Sequence, residues 1–206
     1  WIIPLRESIR WHPANFAFTS QVVSGEKDGA YTGDVSAQQL KGLVEYCLVG
    51  HSERRRYHHE TGPIISAQVR RLLEEKITPI ICFGEQKASQ QKVFSLQVTL
   101  DLAHDLQGLS PKDIGQCILA YEPLWAIGTG NPATSGYVAK AVGHVKSWVE
   151  STFHLAIPVL YGGSVTEDNA AELHPVAEID GLLVGGASLH ARNLREICRR
   201  FIGYDV

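Results

Sequence analysis

The sequence predicts an α/β protein built as a parallel (β/α)8-type barrel. Three observations predict it. Short β-branched or apolar runs alternate with longer amphipathic stretches, several runs are followed at once by polar, glycine-rich segments, and no linker, low-complexity tract or change of composition divides the 206 residues. One domain over residues 1–206 is therefore expected, near the low end for barrels of about 250 residues.

The runs read as strands are residues 1–5, 16–23, 46–49, 78–83, 117–121, 157–161 and 181–184. Between them the clearest helix candidates are residues 63–75, 88–107, 135–151 and 189–201; Thr61-Gly62-Pro63 supplies a start signal for the first. The runs recur without self-similarity, so architecture repeats and sequence does not. Seven runs are one short of a closed parallel barrel, and a first β/α unit is expected ahead of Trp1. The lack of any methionine agrees with a trimmed N-terminus. A doubly wound open sheet is the competing architecture, but no G-x-G-x-x-G follows the first run to give it a nucleotide site.

With 19 Lys and Arg against 22 Asp and Glu, the net charge is −3 and the pI about 6.3. Such a balance offers no broad attraction for nucleic acid or an anionic membrane and favours a small soluble partner. Cys47, Cys82 and Cys117 lie in apolar runs, and no C-x-x-C pair suggests a zinc or redox site. They read as buried free thiols of a reducing cytosol, so a cytoplasmic protein is expected. No apolar stretch approaches the 18 or more residues of a membrane span.

In a β/α barrel the segments after the strands meet on one face, and here they carry polar residues. Gly50-His51-Ser52-Glu53-Arg54 follows residue 49, Glu122-Pro123-Leu124-Trp125 follows residue 121, and Gly162-Gly163-Ser164 and Gly185-Gly186-Ala187-Ser188 follow the last two runs. Two Gly-Gly turns that end a strand and precede a helix suit an anion, because bare backbone lets N–H groups approach a phosphate. Each alone would pass for a tight β/α turn. Glu122, beside a loop with Pro123 and Trp125 at one end and small residues at its tip, is a candidate base; the plain alternative is a surface salt bridge. His51 is a candidate for polarising a carbonyl, against a structural histidine.

Other features read as surface or packing. Adjacent His58 and His59 point apart and lack a third partner with metal-ligand spacing, so His58-His59-Glu60 reads as solvated surface. Arg54-Arg55-Arg56 is an isolated basic run suited to salt bridges with neighbours, Glu53 among them. Trp11 and Trp148 read as packing.

Taken in order, these segments resemble the triosephosphate isomerase family. The stretch from Tyr121 through Glu122, Pro123, Leu124, Trp125, Ala126, Ile127, Gly128 and Thr129 to Gly130 is similar to that family's catalytic strand end and flexible lid. Gly50-His51-Ser52-Glu53-Arg54-Arg55 resembles its histidine segment, and the two Gly-Gly turns resemble its phosphate loops. Cys82-Phe83-Gly84-Glu85 and Gly29-Ala30-Tyr31-Thr32-Gly33 add weaker matches in the same order.

The resemblance implies the TIM (β/α)8 barrel and the interconversion of glyceraldehyde 3-phosphate and dihydroxyacetone phosphate, a step of glycolysis and gluconeogenesis, through an enediolate. It implies Glu122 as the proton-transferring base, His51 as the neutral electrophile, and Gly128, Ser164, Gly185 and Gly186 as backbone ligands of the phosphate. No cofactor and no metal are implied. Asn131-Pro132-Ala133 would form the second lid hinge. The segment from Glu26 to Val35 resembles a loop that inserts into a partner subunit, which implies a homodimer. The asparagine and lysine of the family's first strand have no counterpart in these residues, and the segment after Glu85 is short. A catalytically inert barrel that binds phosphate or a partner is therefore the alternative reading.

Overall fold

The computed structural model describes residues 1–9, 16–87, 91–127 and 132–203, and of residues 91–96 the backbone only. They fall into two compact units, Trp1–Cys82 with Leu102–Ile118, and Phe83–Asp101 with Leu119–Val206.

The first unit opens with helix α1 (Ile2–Ser8), where the apolar run over residues 1–5 reads as a strand. The Leu5 N–H donates to the Trp1 carbonyl at 3.0 Å and the Ile9 N–H to that of Leu5 at 3.1 Å. Pro4 fits there because first-turn amides have no helical acceptor to lose. A run this short carries no period that separates the two conformations. Arg6 anchors the helix, its guanidinium 5.0 Å over the Phe18 ring and its Nη1 donating to the Leu43 carbonyl at 2.9 Å.

The run over residues 16–23 narrows to strand β1 (Thr19–Ser20), since the Phe18 N–H is turned to the Glu45 carboxylate at 2.7 Å. Six strands, not seven, are present among the described residues. After α2 (Ala37–Leu40), capped reciprocally by Ser36 and Gln39, come β2 (Tyr46–Val49), α3 (Ser52–His58), α4 (Gly62–Glu74) and β3 (Thr78–Phe83). β2 pairs in parallel with β1 through Thr19↔Tyr46 and Ser20↔Cys47, and with β3 through Tyr46↔Thr78 to Val49↔Ile81. β3 is buried at every residue after the first, as a parallel strand covered on both faces must be. α4 packs against β2 and carries a stripe at helical spacing, Ile65, Val69 and Leu72, all fully buried. The end of α5 (Gln91–Asp105) and α6 (Pro111–Ile114) add Leu102 and Ile114 to this core.

The second unit repeats the strand-then-helix order. β4 (Ile118–Tyr121), from Leu119 on, leads to α7 (Ser135–Phe153), then β5 (Val159–Tyr161), α8 (Ala170–Leu173), β6 (Gly181–Leu182), the 3-10 turn η1 (Gly186–Leu189) and α9 (Ala191–Ile202). Pairing is parallel and in register, Leu119↔Val159 to Tyr121↔Tyr161 and then Leu160↔Gly181 and Tyr161↔Leu182. The Thr134 side chain caps α7 by accepting from the Tyr137 N–H at 3.3 Å. α7 then packs Val138, Val142, Val145 and Val149 inward, along the face that meets β5. No described helix is long and apolar enough to cross a membrane.

Candidate active site

Parallel pairing in register puts the carboxyl ends of β4, β5 and β6 side by side, and the segments after them carry the residues singled out from sequence. Glu122, one residue past β4, is 2% exposed. Its N–H donates to the Phe83 carbonyl at 2.7 Å, which extends the strand by one rung and fixes where the side chain starts. Gly84 permits this approach: a Cβ there would overlap the Glu122 carbonyl oxygen. The Gly162 N–H donates to the Tyr121 carbonyl at 2.8 Å, and a Cβ on Gly162 would lie 3.3 Å from the Glu122 Cγ. The carboxylate and the turn after β5 are thus neighbours within one unit.

That turn is braced from below. Asn169 donates through Nδ2 to the Ser164 carbonyl at 2.8 Å and accepts from the Thr166 N–H at 2.9 Å through Oδ1, so both ends of its amide hold the loop. The Leu183 N–H donates to the Tyr161 carbonyl at 2.8 Å and carries the ladder to the segment after β6. Gly185 and Gly186 sit there, exposed, and among the described residues nothing beyond their chain neighbours lies within 4 Å of where their Cβ would be. This open space is what a ligand needs to reach backbone amides. The Ser188 Oγ donates to the Gly185 carbonyl at 2.7 Å and closes the turn.

A second buried carboxylate shapes the loop after Glu122. Glu85 is 4% exposed and accepts from the Trp125 indole at 2.6 Å, from the Tyr137 hydroxyl at 2.9 Å and from the Tyr121 hydroxyl at 3.0 Å. Its own carbonyl accepts from the Leu124 N–H at 3.1 Å. Burial pushes its carboxyl above the ordinary range, and the three side-chain hydrogen bonds pull it part of the way back. Trp125 also meets Tyr137 edge to face, the ring centres 5.3 Å apart. One acidic side chain thereby ties β3, β4, the loop and α7 together. Sequence reasoning saw Glu85 only as part of a weak motif, because its donors are 36, 40 and 52 positions away.

The Tyr161 hydroxyl is buried directly beneath Gly163, where a Cβ would overlap it. It makes no hydrogen bond of ordinary geometry among the described residues, although the Ala133 backbone is near enough to favour its ionised form. Burial outweighs that and pushes the phenol up to about 12.

His51 belongs to the first unit. It caps α3, its Nδ1 accepting from the Glu53 N–H at 3.3 Å. A ring nitrogen that accepts from an amide carries no proton, so the imidazole offers its proton at Nε2. The segment is locked by Arg55, which donates to the Gly50 carbonyl at 2.7 Å, to the Cys82 carbonyl at 2.7 Å and to both oxygens of Asp105 at 2.6 and 3.1 Å. Arg54 pairs with Glu60 at 2.8 Å. Glu60 is therefore buried, not part of a solvated His58-His59-Glu60 surface, because it also accepts from Gln68 at 3.1 Å. Arg56 lies over the Tyr57 ring, so the arginines do find neighbours, though Glu53 is not the partner of any ion pair found among the described residues.

The loop from Glu26 to Val35 is exposed yet internally tied. The Ser24 N–H donates to the Val35 carbonyl at 2.8 Å, the Ser24 hydroxyl to Asp34 at 2.7 Å, and the Tyr31 hydroxyl to Glu26 at 3.3 Å. Gly128 and Asn131, expected at the lid tip and its second hinge, lie outside the described residues.

Comparison with known proteins points to one family. A sequence model of the family described as triosephosphate isomerase matches residues 3–201. Triosephosphate isomerase of Ralstonia nicotianae is 43% identical over 191 residues, covering 90% of this chain and 77% of the relative. That of Thermus thermophilus is 42% identical over 188 residues, 88% of this chain and 75% of the relative. The crystal structure of triosephosphate isomerase from Bartonella henselae superposes with a TM-score of 0.77 at 35% identity, covering 89% of this chain and 76% of that one.

Proposed function

The chain belongs to the triosephosphate isomerase family, and on that premise we propose that it interconverts glyceraldehyde 3-phosphate and dihydroxyacetone phosphate with Glu122 as base and His51 as electrophile. The observation that carries the proposal is the buried Glu122 carboxylate, held at the end of β4 beside the Gly162 turn.

In this reading Glu122 takes a proton from the carbon next to the carbonyl. The C–H electron pair forms the C1–C2 double bond, and the carbonyl π pair moves to its oxygen, giving an enediolate. His51 donates a hydrogen bond from Nε2 to that oxygen as negative charge develops. Glu122 then returns the proton to the neighbouring carbon, while the hydroxyl proton on one enediolate oxygen passes to the other, so that the new carbonyl forms at the carbon that was deprotonated. A base only 2% exposed keeps the proton it carries from exchanging with bulk water, and the same exclusion protects an enediolate that would otherwise expel its phosphate. Ser164, Gly185 and Gly186 hold the phosphate through backbone amides, with Gly128 joining when the lid closes. A base paired with a neutral histidine under a closing loop is the established account of this family, not a deduction from this chain.

We further propose one barrel domain and a homodimer formed through the loop from Glu26 to Val35. The support is a loop that keeps its own shape while exposing Tyr31 and Val35. Three buried free thiols, Cys47, Cys82 and Cys117, support the cytoplasm as its compartment.

The test is a coupled assay of triose phosphate isomerisation on the full chain and on Glu122→Ala. A fall of about 10²- to 10⁴-fold in kcat, with the fold retained by circular dichroism, is expected for loss of a general base. Equal background rates in both proteins would leave an inert phosphate-binding barrel as the surviving reading.

A further inference from the structure

The start of α9 breaks a local rule. Negative side chains stabilise a helix N-terminus and positive ones oppose its dipole, yet the first turn of α9 has no acidic residue and carries Arg192, with Arg195 one turn on. Both are exposed, and neither makes an ion pair among the described residues. Further along the same helix, charge is matched: Glu196 accepts from Arg199 at 2.8 Å and from Arg200 at 2.7 Å, and these two guanidinium groups hold its carboxyl down at about 2. The two uncompensated arginines are therefore those at the amino end of the helix.

That end adjoins the candidate phosphate site. η1 begins at Gly186, ends at Leu189 and packs against α9, so Arg192 follows the Gly185-Gly186 turn by six residues. Arg195 lies about 4.5 Å further along the axis. A triose phosphate carries close to two negative charges at neutral pH, and these 206 residues carry −3, so their net charge offers it no attraction. Cations placed at the mouth of the site can supply attraction locally.

We propose that Arg192 and Arg195 form an electrostatic entry patch that draws the phosphate end of the substrate to the Gly185-Gly186 turn, without touching it in the bound state. The proposal rests on the isomerase reading above. It gives the unfavourable first-turn charge a reason: a small loss of helix stability accompanies a gain in encounter rate.

The experiment compares wild type, Arg192→Gln/Arg195→Gln and a control of equal charge change, Arg199→Gln/Arg200→Gln, from about 10 mM to about 500 mM ionic strength, over which the screening length shrinks from about 30 Å to a few ångströms. The first double variant is expected to lower kcat/KM about three-fold at low salt with kcat unchanged, the gap closing at high salt, since two charges supply only part of the roughly ten-fold or larger gains that full steering produces. The control is expected to change kcat/KM less than half as much. The melting temperature of Arg192→Gln/Arg195→Gln should be equal to or slightly above that of wild type.

Parallel salt profiles for wild type and Arg192→Gln/Arg195→Gln, or equal losses in both double variants, overturn the proposal. If wild type shows no turnover, the isomerase reading fails separately, and the patch is then read from the affinity for inorganic phosphate by calorimetry. A salt-sensitive loss confined to Arg192→Gln/Arg195→Gln supports it, and its absence overturns it.

Discussion

The Glu85 carboxylate accepts the Trp125 indole N–H at 2.6 Å, joining the residue that follows β3 by two positions to the first residues of the loop beyond Glu122. Because the same carboxylate holds Tyr121 on β4 and Tyr137 on α7, the loop leaves the sheet from a rigid post.

Burial raises the Glu85 carboxyl, so the native chain holds this proton to higher pH than the unfolded chain does. Where the native state binds more protons, stability falls as pH rises. Glu85 should therefore weaken the fold progressively from about pH 4 upward, the ordinary range for Glu, until the native group is fully ionised. Melting curves of wild type and Glu85→Gln between about pH 4 and pH 7 test this. The advantage of wild type over the variant should shrink with rising pH, and an advantage that stays constant or grows would contradict the assignment.

Arg55 and Asp105 form a pair in which the carboxylate is buried and the guanidinium also serves two backbone carbonyls. Removing Arg55 takes the guanidinium away from the buried Asp105 carboxylate, and breaking a buried pair in this way typically costs about 3–5 kcal/mol. Urea unfolding of Arg55→Ala should show a loss of that size, while Arg55→Ala/Asp105→Asn should recover part of it because the buried charge is gone. A double variant as unstable as the sum of the two single ones would mean the two groups act independently.

Tyr31 is 48% exposed at the tip of the loop proposed to enter a partner subunit. Tyr31→Asp should shift sedimentation from dimer to monomer at micromolar concentration, since an interface aromatic can be worth about 2 kcal/mol or more. Far-UV circular dichroism should be unchanged. A wild-type chain that sediments as a monomer across the same range would remove the dimer from the reading.

Most of the strands, the long periodic helices and their order are legible in the amino-acid sequence. Strands over residues 46–49 and 78–83 have the bounds their apolar runs predict, because uninterrupted apolar runs flanked by turns have few other ways to be buried. Helices α4, α7 and α9 lie within two residues of their expected ends, because a repeating apolar face is a local property of sequence. The order of Glu122, the Gly162-Gly163 turn and the Gly185-Gly186 turn is likewise legible in the chain.

Pairs distant in sequence and segments without a period are settled only in the folded chain. The apolar run at residues 1–5 became a helix, since its five residues fit either conformation and the Arg6 contacts with Phe18 and Leu43 settle which. Glu60 turned inward because Arg54 and Gln68 meet it there. Asp105 met Arg55 across 50 positions, and Glu85 collected three donors from as far as 52 positions away. Periodicity encodes which face of an element is apolar, so the periodic elements and their order follow from the sequence, and a five-residue run such as residues 1–5 does not. Which buried carboxylate meets which donor depends on how the strands are laid side by side, and that is decided only when the chain has folded.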